Sequence, residues 1–481
     1  ICWLDPDMIE KAIRLYAENS PSGIRHGVAT DQIVNSAQAA MGVLVIEFLM
    51  GNVDKPGTIL QNFKNIGVPD LSVTPLVKFL PEEQFRKRLG GNEFKGMLAW
   101  NICHYPTLLE AINTGKPYKP RVWLERSGNK LAMLGNAASW EKALHKLDFV
   151  VHMYMYPTSF SAYADILLPA TEWLETDLIL PSLNKACVRQ AVVHLWETMN
   201  ENVFWAKLAK RLAERGHEGC KDAFDLEKTA PEPPYWDSYE ELADFHLKQA
   251  LGMTFAEFKE KAPLEVYPLD EFRTYRSYEE IDPETGRPQG FPTQSGKLEA
   301  YAEAYVTLGR TGAPLAAFPM EPASKDYDPL PYYEEPSESP LDKELAKEYP
   351  LVMTNGRIPY YHHGTLRNVP WLREIYPVPE LWIHPQDAKK YGVSNGDWVW
   401  VESKRGKITA KALVTKGIAK GVVYMERFWN PETLDTETRG WKEMNVNVLT
   451  RNDGPWNDVV GTVALRGFQV KVSKADGPPK G

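Results

Sequence analysis

Residues 347–424 decide the fold of the last part of the chain and read KEYPLVMTNGRIPYYHHGTLRNVPWLREIYPVPELWIHPQDAKKYGVSNGDWVWVESKRGKITAKALVTKGIAKGVVY. The apolar run 351–353 predicts a strand. It is expected to stop at Thr354-Asn355-Gly356-Arg357, where Gly356 permits a backbone turn that other residues resist. Arg357 would then place a planar cation beside freed backbone N–H groups, a corner that suits a phosphate or a flat heterocycle.

The rest of this stretch predicts a β-barrel with one short helix. A donor-rich loop, His362-His363-Gly364-Thr365, is followed by a strand at 381–383 and a short helix that starts at Pro385 and ends before Gly392. The dipeptide Asn395-Gly396 and the alternating residues after it predict a hairpin over 398–414. A further strand is expected at 422–425.

The motifs NGR, HHGT and IHPQDAKKYGVSNGDWVWVES, in this order, resemble the C-terminal dinucleotide-binding domain of the molybdopterin oxidoreductases of the dimethyl sulfoxide reductase family. The resemblance implies an α/β fold class, with parallel-sheet α/β/α domains followed by a C-terminal six-stranded double-psi-like β-barrel. It also implies three domains: residues 1–117 as the remainder of an α/β molybdopterin domain, 118–345 as an α/β cofactor-binding domain with helical funnel insertions and a linker, and 346–481 as the barrel.

Composition excludes several classes of function. The chain has 481 residues, 43% hydrophobic and 25% charged, which is ordinary for a globular protein of two to four domains. Its net charge of −9 and the lack of a basic block argue against nucleic acid as a partner. The longest apolar run, near residues 41–50, is too short to span a bilayer. We therefore expect a soluble protein. Its compartment is unknown, and the resemblance implies that it is either cytoplasmic or exported by a twin-arginine signal upstream of this chain.

Residues 122–153 predict a parallel βαβ unit. A strand at 122–124, a helix at 136–145 and a strand at 149–153 have the spacing of such a unit. Ligands of parallel sheets bind beyond the carboxyl ends of the strands, so the loops at 127–129 and 154–161 are candidate binding loops. Read from the residues alone, Ser and Asn after a strand more often satisfy local backbone groups.

The second loop and its continuation, YMYPTSFSAYADILLPATEWLETD, resemble a family segment that helps to hold a pterin dinucleotide. The positions in the two loops that carry over are Ser127, Asn129, Tyr154, Thr158 and Ser159. Asp165 and Glu175 look catalytic in isolation, but in the family pattern they help to fix the turn and the following helix.

Elsewhere the periodicity predicts helices and a few irregular segments. Residues 24–30 could form a strand, and the helix at 35–50, apolar on several sides, is expected to be buried. Helices are also expected at 106–114, 202–216 and 300–308, and in two parts over 245–261, the second part starting at a Thr254 cap. A last strand is predicted at 467–472.

The cofactor implied by the resemblance is molybdenum or tungsten between two pterin guanine dinucleotides. Such large phosphate-bearing molecules require many backbone N–H groups, amides and guanidinium groups. The candidate cofactor-binding residues are Ser127, Asn129, Tyr154, Thr158, Ser159, Thr354, Asn355, Gly356, Arg357, His363, Thr365 and Asn447. We assign no metal ligand among them, and the catalytic residues are unknown.

The cysteines depart from the pattern of complete family members. Cys2, Cys103, Cys187 and Cys220 lie far apart without a C-x-x-C motif, so neither a zinc site nor a [4Fe–4S] cluster can be argued from them. Nothing matches the residue that ligates the metal in the family. We therefore expect a part of an enzyme, inactive without its N-terminal portion, which would carry any iron–sulfur cluster. A separate iron–sulfur electron-transfer subunit is a further possible partner.

The runs LPEEQFRKRLGG, TQSGKLEAYAEAY and DPLPYYEEP resemble the branch that includes acetylene hydratase, catechol dehydroxylases and pyrogallol transhydroxylase. This implies an anaerobic enzyme that acts on a small organic substrate by oxygen or hydroxyl transfer or by reductive dehydroxylation. The alternative is a non-catalytic fragment or subunit that binds a cofactor or a partner. An unrelated enzyme built on the barrel alone, similar to aspartate decarboxylase, would leave the α/β unit unexplained.

Overall fold

The computed structural model describes residues 4–59, 81–91, 93–96, 103–126, 128–217, 220, 236–272, 275–311, 326–427, 429 and 439–479. Its contacts divide the chain into two compact units. Unit 1 comprises Ile1–Gly27, Ala37–Glu82 and Thr171–Tyr332, and unit 2 comprises Val28–Ser36, Glu83–Ala170 and Tyr333–Gly481. Each unit is assembled from segments distant in sequence. The three domain boundaries given above remain a prediction.

Twelve strands are described, in chain order: β1 Val122–Arg126, β2 Phe149–Tyr154, β3 Ile166–Pro169, β4 Leu178–Ser182, β5 Lys185–Arg189, β6 Leu264–Glu265, β7 Leu351–Gly356, β8 Glu380–Ile383, β9 Trp398–Ser403, β10 Gly406–Val414, β11 Val422–Glu426 and β12 Phe468–Lys474. Within the described residues they form a parallel sheet β1-β2-β3, an antiparallel sheet β4-β5-β6 and a closed barrel β10-β8-β11-β7-β12-β9.

Unit 1 is mostly helical. Its helices are Pro6–Glu18, Ser36–Leu49, Glu201–Glu214, Tyr239–Leu251, Phe255–Lys261, Leu269–Phe272 and Glu303–Thr311. The two-part helix predicted at 245–261 is confirmed: Gly252 ends the first part in the left-handed conformation, and Thr254 starts the second with a capping box to Glu257. The β4–β5 hairpin was not predicted, and Phe255 and Phe258 pack in the core beside it.

Two predictions in the N-terminal segment are wrong. No strand forms at 24–30, because the Ile24 N–H donates to the Glu47 side chain (2.9 Å) rather than to a neighbouring strand, and a 3₁₀ turn begins at Val28. The helix Ser36–Leu49 is not buried on all sides, since Leu49 keeps 78% of its surface exposed. No helix among the described residues is long and apolar enough to cross a bilayer.

The parallel sheet of unit 2 confirms the predicted βαβ unit. β1 pairs with β2 and β2 with β3, all in parallel. The helices Tyr105–Thr114 and Ala137–Leu144 cover one face through a core that includes Trp140 and Leu144. Asp165 accepts a hydrogen bond from the Val150 N–H of β2 (2.7 Å).

The barrel of unit 2 confirms the predicted fold class. Two of its strand pairs, β7 with β11 and β8 with β10, are parallel, whereas the other four are antiparallel. Alternate side chains of all six strands fill its interior, among them Met353, Ile383, Val401 and Met425, all fully buried. The remaining helices of this unit are Glu82–Arg86, Lys130–Met133, Lys343–Glu348, Pro370–Ile375, Pro385–Lys390 and Trp441–Met444.

Gly135 lies between the helices Lys130–Met133 and Ala137–Leu144, and it tests how this turn packs against Arg451 and Leu465. A Cβ at this position would overlap the carbonyl oxygen of Arg451 and lie 2.9 Å from a methyl carbon of Leu465. We expect Gly135→Ala to lower the free energy of unfolding by about 2–3 kcal/mol because backbone must shift. In the matched variant Gly42→Ala the new methyl meets no atom within 4 Å. Inside a helix it should stabilise by about 1 kcal/mol. Urea unfolding measures both, and equal effects would contradict the packing described.

Candidate functional site

Two arginines leave the barrel side by side. β7 and β11 run in parallel with Gly356 opposite Glu426, so Arg357 and Arg427 follow the two strands at the same edge. The Arg427 N–H donates to the Gly356 carbonyl (3.0 Å), which continues the pairing by one residue. Sequence reasoning placed Gly356 in a turn, and this is wrong. Gly356 extends the strand, and its lack of a Cβ leaves room for the ring of Tyr424, which would lie 2.7 Å from a Cβ at this position.

The exposed guanidinium of Arg357 is oriented by His363. Its Nη2 donates to His363 Nε2 (2.9 Å), while the Tyr424 hydroxyl donates to the Arg357 carbonyl (2.7 Å). A guanidinium only donates hydrogen bonds, so His363 Nε2 is the acceptor and Nδ1 carries the proton. Burial, followed by the charge of Arg357, holds the pKa of His363 below its usual value. His363 is therefore neutral at pH 7, with an N–H donor at Nδ1.

A third arginine joins the same corner. Arg466 lies close enough to Arg427 that its charge, after the effect of burial, lowers the pKa of Arg427, and Arg357 acts in the same direction. Burial also lowers the pKa of Arg466, whose Nε donates to the neutral Gln32 side chain (2.9 Å). The charges of Arg357 and Arg466 both repel Arg427, and an anion such as a phosphate would lower that repulsion.

The loop that carries His363 is held from inside the protein. The buried Arg367 donates to the His363 carbonyl through Nε (2.9 Å) and Nη2 (2.6 Å), and to the Arg427 carbonyl (3.2 Å). It also forms an ion pair with the buried Glu426. His363 itself has a positive φ of 52°, a conformation that costs energy outside glycine. Arg367 stabilises this strained backbone by binding its carbonyl.

On the side of the parallel sheet, the predicted residues bond to each other. Asn129 Nδ2 donates to Ser159 Oγ (2.9 Å), and Ser159 Oγ lies 3.2 Å from Asn129 Oδ1. Thr158 caps the 3₁₀ turn Ser159–Tyr163 by accepting from the Phe160 N–H (3.2 Å). Tyr154 ends β2 and is buried, as are the other three. These bonds join the loop after β1 to the loop after β2.

The loops of the sheet and those of the barrel meet. The Leu366 N–H donates to the Tyr156 hydroxyl, and Asn368 Nδ2 donates to the Pro157 carbonyl (3.2 Å). Asn447 Nδ2 donates to the Ala132 carbonyl (2.5 Å), within the helix Lys130–Met133 that Asn129 precedes. The candidate segments therefore converge at one place in unit 2.

The predicted residues fall into two groups. Arg357, His363 and Thr365 have side chains at least partly open to solvent, and so does Thr354 on β7. Five others are buried and satisfied internally; they are Asn129, Thr158, Ser159, Asn355, whose amide donates to the Leu465 carbonyl (2.7 Å), and Asn447. Ser127 lies outside the described residues. The buried group fits a role in fixing the loops, and the open group fits a role in contacting a ligand.

Comparison with known proteins identifies the family. The family model "Molydopterin dinucleotide binding domain" matches residues 351–467. The dopamine dehydroxylase of Eggerthella lenta is 30% identical over 94% of this chain and 48% of its own length. The acetylene hydratase of Syntrophotalea acetylenica is 26% identical over 94% of this chain and 60% of its own length. The solved acetylene hydratase from Pelobacter acetylenicus matches with a TM-score of 0.78 and 25% identity, over 98% of this chain and 63% of that one.

The chain belongs to the dimethyl sulfoxide reductase family of molybdopterin oxidoreductases. The family and the cofactor class predicted from the sequence, a molybdopterin dinucleotide with molybdenum or tungsten, are thereby confirmed. The chain spans about half the length of the dehydroxylase and less than two thirds of the two hydratases.

Sequence reasoning missed Arg427, Arg466 and Tyr156. A signal for Arg427 was present, because it follows the strand 422–426 as Arg357 follows 351–356. Arg466 and Tyr156 carry no local signal, since the fold alone brings them to the corner. A cavity of about 560 Å³, lined by residues such as Met133, Trp140 and Leu465, contains none of the predicted residues. No cluster of three metal-ligating side chains occurs among the described residues.

Glu426 makes the stability of the corner depend on pH. Burial raises the pKa of Glu426 to about 7, although Arg367 and Arg373 oppose the rise. Its contact with Arg367 lacks good hydrogen-bond geometry, so the attraction only partly offsets the loss of hydration. The folded state keeps the proton of Glu426 up to about pH 7, whereas the unfolded chain loses it near the ordinary glutamate pKa of 4.5. The free energy of unfolding therefore falls as the pH rises from 4.5 to about 7.

We expect Glu426→Gln to remove this part of the pH dependence. Between pH 4.5 and 7.5 the wild type should lose up to about 3 kcal/mol relative to the variant, which cannot titrate at this position. Urea unfolding at several pH values measures the difference. The matched change Glu402→Gln, at a half-exposed residue of β9 paired with Lys471 (3.0 Å), should leave the pH profile of the wild type almost unchanged. Parallel profiles for wild type and Glu426→Gln would show that Glu426 is ionised throughout.

Proposed function

We propose that this chain is the part of a molybdenum or tungsten oxidoreductase that holds a bis(pterin guanine dinucleotide) cofactor. The observation that carries the proposal is the corner where Arg357 and Arg427 lie beside the loop of His363, with Arg466 close to Arg427. The loop after β2 contacts that same loop through Tyr156 and Pro157. A large ligand with phosphate groups fits a site with concentrated positive charge and neighbouring loops from two sheets.

The residues of the corner fit the groups that such a cofactor presents. Arg357 and Arg466 offer planar, charged donors to phosphate oxygens. The buried amides of Asn129, Asn355 and Asn447 hold the loops in place. The backbone N–H groups of these loops are therefore already ordered before the cofactor binds, which lowers the entropy lost on binding. When bound, the metal in the cofactor supplies the oxygen-transfer or redox chemistry.

We further propose that the complete enzyme acts on a small organic substrate, by oxygen or hydroxyl transfer or by reductive dehydroxylation. Two relatives are named for reactions on small molecules, a dopamine dehydroxylase and an acetylene hydratase. The metal-ligating residue and any iron–sulfur cluster would come from the part of such enzymes that this chain does not span, since its four cysteines form no cluster motif. The alternative is a non-catalytic fragment or subunit that binds a cofactor or a partner chain.

Guanosine 5′-diphosphate is a suitable probe because it carries the base and phosphates of the cofactor without its metal. We expect the double variant Arg357→Gln/Arg466→Gln to weaken its binding by about tenfold or more, since charge-assisted hydrogen bonds are lost. Guanosine, which has no phosphate, should bind both proteins equally. Isothermal titration calorimetry measures the four affinities at one fixed salt concentration.

Arg121→Gln is the matched control. Arg121 is an exposed arginine of the same unit that pairs with Asp148 on the surface (2.5 Å), away from the candidate loops. Arg121→Gln should bind guanosine 5′-diphosphate and guanosine with the affinities of the wild type. Equal losses for guanosine and the diphosphate in the double variant, or no binding of the diphosphate by the wild type, would contradict the proposal. Stoichiometric molybdenum or tungsten in the purified chain would show that it holds the complete cofactor alone.

A further inference from the structure

A buried histidine that no prediction singled out lies between the two binding loops of the parallel sheet. His152 is in the middle of β2, the central strand, and only 1% of its surface is exposed. Its Nε2 lies 2.9 Å from the carbonyl oxygen of Gly128, in the loop after β1. Its Nδ1 lies 2.9 Å from Ser161 Oγ, in the loop after β2. One imidazole therefore touches both loops.

The partners of His152 determine the position of every proton in this chain of bonds. A carbonyl oxygen only accepts, so Nε2 carries the hydrogen and donates to Gly128. Nδ1 then has a lone pair and accepts from the Ser161 hydroxyl. Ser161 Oγ in turn accepts from the Thr158 N–H (2.8 Å). Three hydrogen bonds thus follow one another: the Thr158 N–H donates to Ser161 Oγ, the Ser161 hydroxyl donates to His152 Nδ1, and His152 Nε2–H donates to the Gly128 carbonyl.

The surroundings of His152 keep its ring neutral. Burial lowers the pKa of His152 to about 4, and the nearby charge of Lys130 acts in the same direction. Glu125 on β1 holds Lys130 in place (3.3 Å). A second ring proton would lie on Nδ1 and would change the Ser161 hydroxyl from the donor to the acceptor of that bond. The neutral Nε2–H ring satisfies the bonds to both loops.

The ring also contacts two aromatic neighbours. It stacks on Tyr154, a candidate cofactor residue, with centroids 5.6 Å apart and planes 19° apart, and it meets the edge of Phe160 at 5.1 Å. His152 therefore contacts Tyr154 directly, reaches Thr158 through one hydroxyl, and holds the carbonyl of the residue before Asn129.

We propose that His152 is a positioning residue of the cofactor site, which holds the loop after β1 and the loop after β2 in fixed relation through its neutral Nε2–H form. This role rests on the proposed function, because it matters for binding only if these loops take the cofactor. Two buried loops joined by one ring need not be ordered again when a ligand binds, and this raises affinity.

The first test addresses the joined loops without any ligand. In His152→Leu, amide hydrogen exchange should become faster, by about tenfold or more, over residues 128–130 and 158–161 together, because a bond to each loop is lost. In wild-type protein labelled with ¹⁵N-histidine, the ring should show the neutral Nε2–H form from pH 5 to 8. A charged ring at pH 6, the Nδ1–H form, or unchanged exchange in both loops would overturn the proposal.

The second test measures binding of guanosine 5′-diphosphate. We expect His152→Leu to weaken it about tenfold and His152→Gln, which retains an N–H donor near the Nε2 position, to recover most of the loss. His104→Leu is the control. His104 is also buried and bonds a carbonyl, Gly461 (2.8 Å), and a hydroxyl, Thr107 (2.8 Å), but it touches no predicted residue. It should lose comparable stability in urea and keep the wild-type affinity.

The outcomes separate the two ideas. If the wild type binds the nucleotide and folded His152→Leu binds it equally well, the positioning role is wrong while the proposed function stands. If His104→Leu weakens binding as much as His152→Leu does, the effect is one of general stability and the positioning role is also wrong. If the wild type binds no nucleotide, the proposed function fails, and the exchange and ring-nitrogen measurements still decide whether His152 holds the loops.

Discussion

The parallel pairing of β7 with β11 is the constraint on which the candidate site depends. Its register sets Gly356 opposite Glu426, so the residue after each strand is an arginine at the same edge. An antiparallel pairing would send Arg357 and Arg427 to opposite ends of the barrel. Parallel strands need a long crossover, and the chain between β7 and β11 forms the His363 loop, the β8 strand and the β9–β10 hairpin. The same topology thus closes the barrel and brings cations together.

Bringing like charges together costs energy, and buried hydrogen bonds offset it. Apolar side chains from all six strands pack in the barrel interior. This packing fixes the ends of β7 and β11, after which Arg357 and Arg427 follow. Arg367 then holds the strained His363 backbone, and Glu426 lies beneath Arg367. These internal bonds hold the loops around the exposed guanidinium groups rigid before any ligand binds. Rigid, preorganised donors lose less entropy when a large ligand binds.

The sequence predicted the fold well where local signals agree with each other. The Asn395-Gly396 turn, the proline at the start of Pro385–Lys390 and the Thr254 cap each mark an element that the structure confirms. It failed at Gly356, because a glycine that avoids a ring looks the same in sequence as a glycine that makes a turn. It also failed at residues 24–30, where a buried side chain replaces the partner strand.

The candidate site was predictable only in part. Motifs led to Arg357 and His363, but nothing local to Arg466, Tyr156 or His152 shows that the fold brings them to the same loops. The buried amides of Asn129 and Asn447 illustrate the opposite error. Their residue type suits a ligand, yet in the structure their side-chain bonds are internal. Burial and hydrogen-bond partners, which depend on distant segments, separate these two roles.

Loops of the parallel sheet and loops of the barrel converge in unit 2. Cysteines at Pro157 and Asn368 test this convergence, because the Pro157 carbonyl and the Asn368 side chain are joined by a 3.2 Å hydrogen bond. Treated with dibromobimane, which fluoresces once it has joined two thiols, the Pro157→Cys/Asn368→Cys protein should give one intramolecular cross-link between these positions, located by peptide mass mapping, and neither single variant should give it. A double variant that stays unlinked while both cysteines react separately with a monofunctional reagent would contradict the convergence.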